Sequence, residues 1–219
     1  MTEIRRFYDS LFERYGDLRW WPGETPFEIM LGAILTQNTN WVNVEKALSN
    51  LAKLGLLSPH ELLNADDEVI REAIRPSGYF NQKTLKLRRF MDWLNYKTEC
   101  SIDALSMFPT EELRYDLLSI RGIGPETADD ILLYALDRPV FVVDAYTFRI
   151  AYRHGWIPQN IDYDGLAEIF RASIEYDISI YKNYHAMIVE TGKNFCRKKA
   201  PICAVCPGKS HLPESGPYE

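Results

Sequence analysis

The chain has no apolar run approaching the roughly 20 residues that a membrane-spanning helix needs, which excludes a membrane-embedded protein. Its first residues, Met1-Thr2-Glu3-Ile4-Arg5-Arg6-Phe7, lack the apolar stretch of a secretory leader. Cysteine is scarce, with 4 in 219 residues, and without a leader a disulfide framework is not expected. An excess of positive charge is missing as well: 25 Lys and Arg stand against 31 Asp and Glu, a net charge of −6. Taken alone, that balance lowers the odds of a nucleic-acid partner. Repeats and low-complexity segments are absent, and a 13% aromatic content excludes a disordered chain. What remains is a folded protein expected in the cytoplasm (nucleoid-associated in a bacterium). It is long enough for one large domain or for two small ones sharing a cleft.

Distribution matters more than sums. Lys193, Arg197, Lys198, Lys199 and Lys209 form a basic stretch without one acidic residue. Such a patch can meet phosphates on an acidic protein, and it can equally be a solvated tail. Cys196, Cys203 and Cys206 crowd into the same stretch, while Cys100 stands alone as an inert thiol.

The hydrophobic pattern is helical nearly throughout. Phe27, Met30, Leu31, Ile34 and Leu35 recur at helical spacing, and so do Val44, Ala47, Leu48, Leu51 and Leu54 before Gly55. Ser58-Pro59 and Asp66-Asp67-Glu68 start further helices. Lys83 to Trp93 reads as a basic-faced helix, and Thr110-Glu111-Glu112 opens the next. Two more fall near Tyr163–Tyr176 and Ile180–Glu190. Pro139–Val143 is the one strand-like run, and it leads into Asp144 and a helix from about Tyr146. From Pro207 onward, Gly, Pro and Ser predict a loose tail.

Leu117-Leu118-Ser119-Ile120-Arg121-Gly122-Ile123-Gly124-Pro125-Glu126-Thr127-Ala128 is the most informative segment. A helix ends at Ile120, Gly122 and Gly124 permit a tight turn, and Pro125 suits a first helical position. Backbone N–H groups left at that helix start favour a phosphate oxygen, and glycine lets a nucleic-acid backbone approach closely. An ordinary corner between helices is the alternative.

Four segments in this order resemble the helix-hairpin-helix DNA glycosylases of the endonuclease III superfamily. They are Leu35-Thr36-Gln37-Asn38-Thr39, Gly78-Tyr79-Phe80-Asn81-Gln82-Lys83, the hairpin, and Val142-Val143-Asp144. The resemblance implies an all-α fold with two helical domains flanking a DNA-binding cleft. A helical barrel would span 25–136, with the hairpin motif at about 113–135. Residues 1–24 and 137–206 would form the second domain, followed by a tail at 207–219. Double-stranded DNA containing a damaged base becomes the expected partner of a monomer, and base excision repair the expected role.

The resemblance makes Asp144 the catalytic carboxylate, a group suited to the positive charge that develops on the sugar. By position alone Asp144 is equally a helix cap. Members with lyase activity carry a lysine where this chain has Glu126, and a carboxylate cannot form an imine, so excision without strand cutting is expected. Gln37 matches a residue that fills the gap left by a flipped nucleotide, and Tyr79 matches a wedge. Gly122, Gly124 and Thr127 belong to the DNA-binding hairpin.

Trp20, Trp21 and Trp41 are candidates for the base pocket, since an aromatic cage attracts a cationic purine by roughly 0.5–2 kcal/mol. Core packing is the alternative for each. Trp20-Trp21-Pro22, Arg75-Pro76-Ser77-Gly78 and Glu126 in the hairpin are similar to the 3-methyladenine branch, where a lysine matching Lys193 reaches the pocket. Other damaged or mismatched bases, or a non-catalytic DNA-binding module, are the rival readings. Cys196, Cys203 and Cys206 reproduce three ligands of the family's [4Fe-4S] loop, but Leu212 occupies the fourth position. A fourth bond from His211, a zinc in Cys3His geometry, and a loop without metal all stay open.

Overall fold

A computed structural model describes residues 2–18, 21 and 23–218. Trp20 lies outside the described residues. The chain divides into two compact units: residues 1–21 with 139–219, and residues 22–138. Among the described residues all regular structure is helical, and no helix is long and apolar enough to cross a membrane.

In the unit of residues 22–138, α2 (Pro26–Leu35) starts at Thr25, whose hydroxyl accepts the Glu28 N–H. Its stripe of Phe27, Met30, Leu31, Ile34 and Leu35 is fully buried, as the periodicity predicts. Asn40 caps α3 (Trp41–Lys53), and Asp66 caps α5 (Asp67–Ala73), with the short α4 (Pro59–Asn64) between them. The basic segment forms α6, which extends further than its pattern suggested, over Phe80–Thr98. Its Lys83 is not on a solvated face at all. The side chain is 1% exposed, and Nζ donates to the carbonyls of Leu35 and Ser77, both at 2.7 Å.

The hairpin helices are α7 (Thr110–Ser119) and α8 (Pro125–Asp130), and α8 widens into a π-helical turn over Ile131–Ala135. Arg114 of α7 forks onto buried Asp129 of α8, with Nε and Nη2 donating at 2.7 and 3.1 Å. Two parallel charge-assisted bonds fix the pairing of the helices more tightly than apolar contact alone would.

The other unit contains α1 (Glu3–Tyr15), α9 (Ala145–Arg153), α10 (Tyr163–Ser173) and α11 (Ile178–Asn194). Helix α1, which the sequence pattern did not single out, buries Ile4, Phe7, Tyr8 and Leu11. The Tyr184 hydroxyl of α11 donates to the Ile4 carbonyl at 2.7 Å, and the Phe141 and Phe170 rings stack at 4.9 Å.

Two expectations are corrected in this unit. The run Pro139–Val143 forms no strand. Phe141, Val142 and Val143 are buried without a sheet, and the Val143 N–H donates to the Tyr163 hydroxyl at 3.3 Å. Its apolar β-branched residues thus satisfy helix packing, and a side chain replaces a ladder bond. The segment after Pro207 is not a loose tail. Gly208 lies so close to Phe7 that a Cβ there would sit 2.1 Å from Cε2. The Tyr218 N–H donates to the Arg153 carbonyl at 3.0 Å. Composition registers the turns of this segment and is blind to the close approach that only glycine allows.

Candidate active site

In the unit of residues 22–138 the hairpin turn is closed by the Ile123 N–H donating to the Ile120 carbonyl at 2.9 Å. Gly122 has φ +105°, a conformation that disfavours any side chain, and a Cβ there would meet Lys86 Cγ at 2.8 Å. Gly124 has open space where a Cβ would stand. Gln37 joins this motif directly. Its Nε2 donates to the Gly122 carbonyl at 3.2 Å and to Thr127 Oγ1 at 2.8 Å, and Lys86 Nζ donates to its Oε1.

Gln37, Gly122 and Thr127, assigned from separate segments, are therefore one hydrogen-bonded group. Lys86 belongs to it as well, and sequence reasoning passed it over. Arg89 donates to the Arg121 carbonyl at 3.1 Å from the same face of α6, so the i, i+3 spacing of Lys86 and Arg89 was the available signal. Tyr79 is 64% exposed and left-handed at φ +49°, directly after Gly78 at φ +69°. A left-handed conformation is uncommon for a bulky residue. Trp41, the first residue of α3, is half-buried, and Glu126 is exposed in the first turn of α8.

In the other unit Asp144 is the N-cap of α9. Its Oδ1 accepts the Thr147 N–H at 2.7 Å and the Thr147 hydroxyl at 2.8 Å, and Thr147 Oγ1 accepts the Asp144 N–H at 3.3 Å. The cap and the candidate carboxylate are thus the same side chain. Its second oxygen, Oδ2, lies 3.8 Å from Nε2 of His185, a buried residue of α11 that the sequence reading did not name. Burial pushes the His185 pKa down; Asp144 raises it and Lys193 lowers it. Lys193 Nζ lies 3.7 Å from Glu190 Oε1 on the same helix, with its side chain 44% exposed. Trp21 is half-buried in this unit.

Cys196, Cys203 and Cys206 line one cavity together with Leu212, Ile150 and Phe195. Leu212, at the fourth ligand position, offers no donor atom. His211 is engaged elsewhere: Nε2 lies 2.8 Å from Ser10 Oγ, and Nδ1 lies 3.3 Å from Glu3 Oε2. Among the described residues no group of three or more His, Cys, Asp or Glu is arranged to hold a metal ion. The donor set therefore does not fit a four-thiolate cluster or Cys3His zinc. The loop has other supports. Arg153 Nη1 donates to Cys196 Sγ at 3.3 Å and to the Arg197 carbonyl at 2.7 Å, and Nη2 donates to the Lys198 carbonyl at 3.2 Å.

Residues 31–175 match the family described as HhH-GPD superfamily base excision DNA repair protein. A protein of Methanocaldococcus jannaschii with the provisional name DNA repair glycosylase is 48% identical over 210 residues, 94% of each chain. The endonuclease III of Sulfolobus acidocaldarius is 28% identical over 181 residues, 82% of this chain and 78% of that protein. Among solved structures, the H. pylori 3-methyladenine DNA glycosylase bound to 1,N6-ethenoadenine matches with a TM-score of 0.75 and 28% identity, over 88% of this chain and 98% of that one. A non-covalent endonuclease III–DNA complex matches in fold with a TM-score of 0.82 at 20% identity, covering 98% and 96%. The family match spans the hairpin and Asp144 alike, and the chain belongs to the HhH-GPD superfamily of base excision DNA repair proteins.

Proposed function

We propose that the chain is a monofunctional DNA N-glycosylase that flips alkylated purines such as 3-methyladenine out of duplex DNA and excises them, leaving an abasic site. The observation that carries this reading is the state of Asp144. One carboxylate oxygen, Oδ1, accepts both Thr147 bonds of the helix cap, and the other, Oδ2, lies outside the cap and 3.8 Å from Nε2 of His185. A carboxylate of this kind stabilises the cation that develops at C1′ as the glycosidic bond breaks. The bonding pair leaves with the base, water adds to C1′, and Asp144 orients that water and accepts its proton. An alkylated purine is already cationic and leaves without a general acid.

Glu126 supports hydrolysis without strand cutting, since no amine stands at the family's lyase position. The group of Gln37, Gly122 and Thr127, with Gly124 beside it, is read as the surface that meets the DNA backbone, and Tyr79 as the wedge. Trp20, Trp21, Trp41 and Lys193 are read as the base pocket. The protein would act as a monomer, and no step calls on a metal. The 28% identity to the H. pylori 3-methyladenine glycosylase supports the substrate class.

The test is base release from methylated duplex DNA with products identified by mass, alongside plasmid incision with and without alkali. The reading expects free 3-methyladenine, breaks only after alkali, and no adduct trapped by borohydride. Direct breaks with a trapped lysine adduct would make it a lyase, and no release with retained DNA binding would make it a binding module.

A further inference from the structure

His185 stands outside every role assigned above, yet its Nε2 lies 3.8 Å from the Asp144 oxygen that the cap does not use. Helices α9 and α11 run side by side in the same direction, as paired contacts along them show. Asp144 meets His185, Tyr146 meets Gly192, and Arg149 Nε donates to the Cys196 carbonyl at 2.7 Å. The approach is close enough that a Cβ on Gly192 would sit 2.3 Å from Tyr146 Cδ1. That contact leaves little freedom to slide, so the His185–Asp144 juxtaposition is a fixed property of the helix pair. The two side chains are 5% and 10% exposed. Thr147 holds Oδ1 through two hydrogen bonds, which leaves the position of Oδ2 to its other neighbours, and Oδ2 is the oxygen turned to the imidazole.

We propose that His185 is a positioning residue for Asp144: its neutral imidazole walls and orients Oδ2, and its protonated form ties that oxygen into an ion pair that switches base release off. The proposal rests on the reading of Asp144 as the catalytic carboxylate. A permanent cation at this place would cancel the charge on which the reaction depends. A neutral ring presents an N–H dipole to the oxygen and leaves its charge intact. Burial favours the neutral form at ordinary pH, with Asp144 from the start of α9 opposing and Lys193 on α11 itself assisting. Helix α1, which also packs on α11, brings Tyr8 to Asn183 and Tyr15 to Thr191. Both phenols are held above their ordinary range chiefly by burial, and both stay uncharged where a histidine titrates.

The experiment measures single-turnover release of 3-methyladenine from methylated duplex DNA against pH, with DNA affinity and thermal melting in parallel. The proteins are the parent, His185→Leu, His185→Gln and Asp144→Asn. His185→Leu should lose roughly 100-fold in the release rate, as expected for a misplaced reacting group, with DNA affinity unchanged. His185→Gln keeps an N–H at the same distance along the side chain and cannot titrate. It should recover most of the rate and lose the acid limb expected of the parent below the ordinary histidine range. A parent-like rate and pH profile in both variants would overturn the proposal. So would an acid limb unmoved in His185→Gln, a reading that stands even if His185→Leu fails to fold. Base release by Asp144→Asn would instead sink the underlying assignment of the carboxylate, so the two failures are distinguishable.

Discussion

The ammonium of Lys83 closes the C-terminal end of α2 by donating to the Leu35 carbonyl at 2.7 Å. A second bond of 2.7 Å reaches the Ser77 carbonyl, so one buried side chain ties α6 to the residues immediately before Thr36–Thr39 and immediately before Gly78–Tyr79. Helix ends leave carbonyls without intrahelical donors, and a cation is the partner that the helix dipole favours there. Lys83→Met keeps the bulk and removes the donor. Each orphaned buried carbonyl costs about 1–3 kcal/mol, so the urea midpoint should fall clearly with the slope preserved. An unchanged midpoint would show that the carbonyls find other partners.

The same lysine makes a prediction about alkaline pH. Burial, with Lys86 adding, holds its pKa down to about 8 from an ordinary 10.5. Between those values the unfolded chain binds more protons than the folded one, so this group makes stability rise with pH across that window. Lys83→Met should erase that rise. A parent and variant with parallel stability curves from pH 8 to 10.5 would contradict the assignment.

At acid pH the decisive group is His154. It is buried between the rings of Phe7 and Trp156, and its Nδ1 lies 3.0 Å from the His211 carbonyl, so Nδ1 is the nitrogen that carries a proton there. Burial lowers its pKa to about 4, against 6.5 for an ordinary histidine. The unfolded chain therefore takes up the proton first, and the stability held above pH 6.5 is lost as pH falls toward 4. Melting temperature measured across this range should drop in the parent and drop less in His154→Gln. His185 shifts in the same direction, so part of the slope should survive.

The hairpin and the helices were legible because both depend on local chemistry. Glycines set the turn from Gly122 to Gly124, Pro125 sets a helix start, and apolar spacing sets a buried face. Partners distant in sequence were not legible. Lys83 reads as one of four basic residues with Lys86, Arg88 and Arg89, and nothing local marks it as the buried one. Gly208 reads as a turn residue, while its role is to admit Phe7. Pro139–Val143 carries strand-forming residues, and only a neighbouring strand, which it lacks, would have made it one. Asp144 was legible as a cap and as a candidate carboxylate, and the cap uses Oδ1 and leaves Oδ2 for the proposed role.

That division of labour at Asp144 separates two variants. Asparagine is as good an N-cap as aspartate, so Asp144→Asn should melt near the parent. It lacks the negative charge, so base release should vanish while DNA affinity stays within a few-fold. Asp144→Ala removes the cap as well and should cost about 0.5–2 kcal/mol of stability in addition. Melting and release measured on both variants check this. Near-normal release by Asp144→Asn would remove the carboxylate from the mechanism.

The tryptophans can be judged by the same paired logic. Trp21 and Trp41 are half-buried, an exposure that suits a pocket wall and a packed tryptophan alike. Stacking on a nucleobase is worth roughly 1–3 kcal/mol per aromatic side chain, so Trp21→Ala or Trp41→Ala should lower excision of 3-methyladenine by about 5- to 150-fold. Loss of a core tryptophan typically costs about 3–5 kcal/mol of stability instead. Thermal melting beside single-turnover excision tells the cases apart, and Trp20→Ala joins the series on its sequence position alone. A variant that stays folded and excises slowly supports an aromatic base pocket. A variant that melts far below the parent, while its folded fraction excises at the parent rate, makes that tryptophan a packing residue. If both Trp21→Ala and Trp41→Ala behave in the second way, the alkylated-purine reading loses the cation–aromatic attraction on which its choice of base depends.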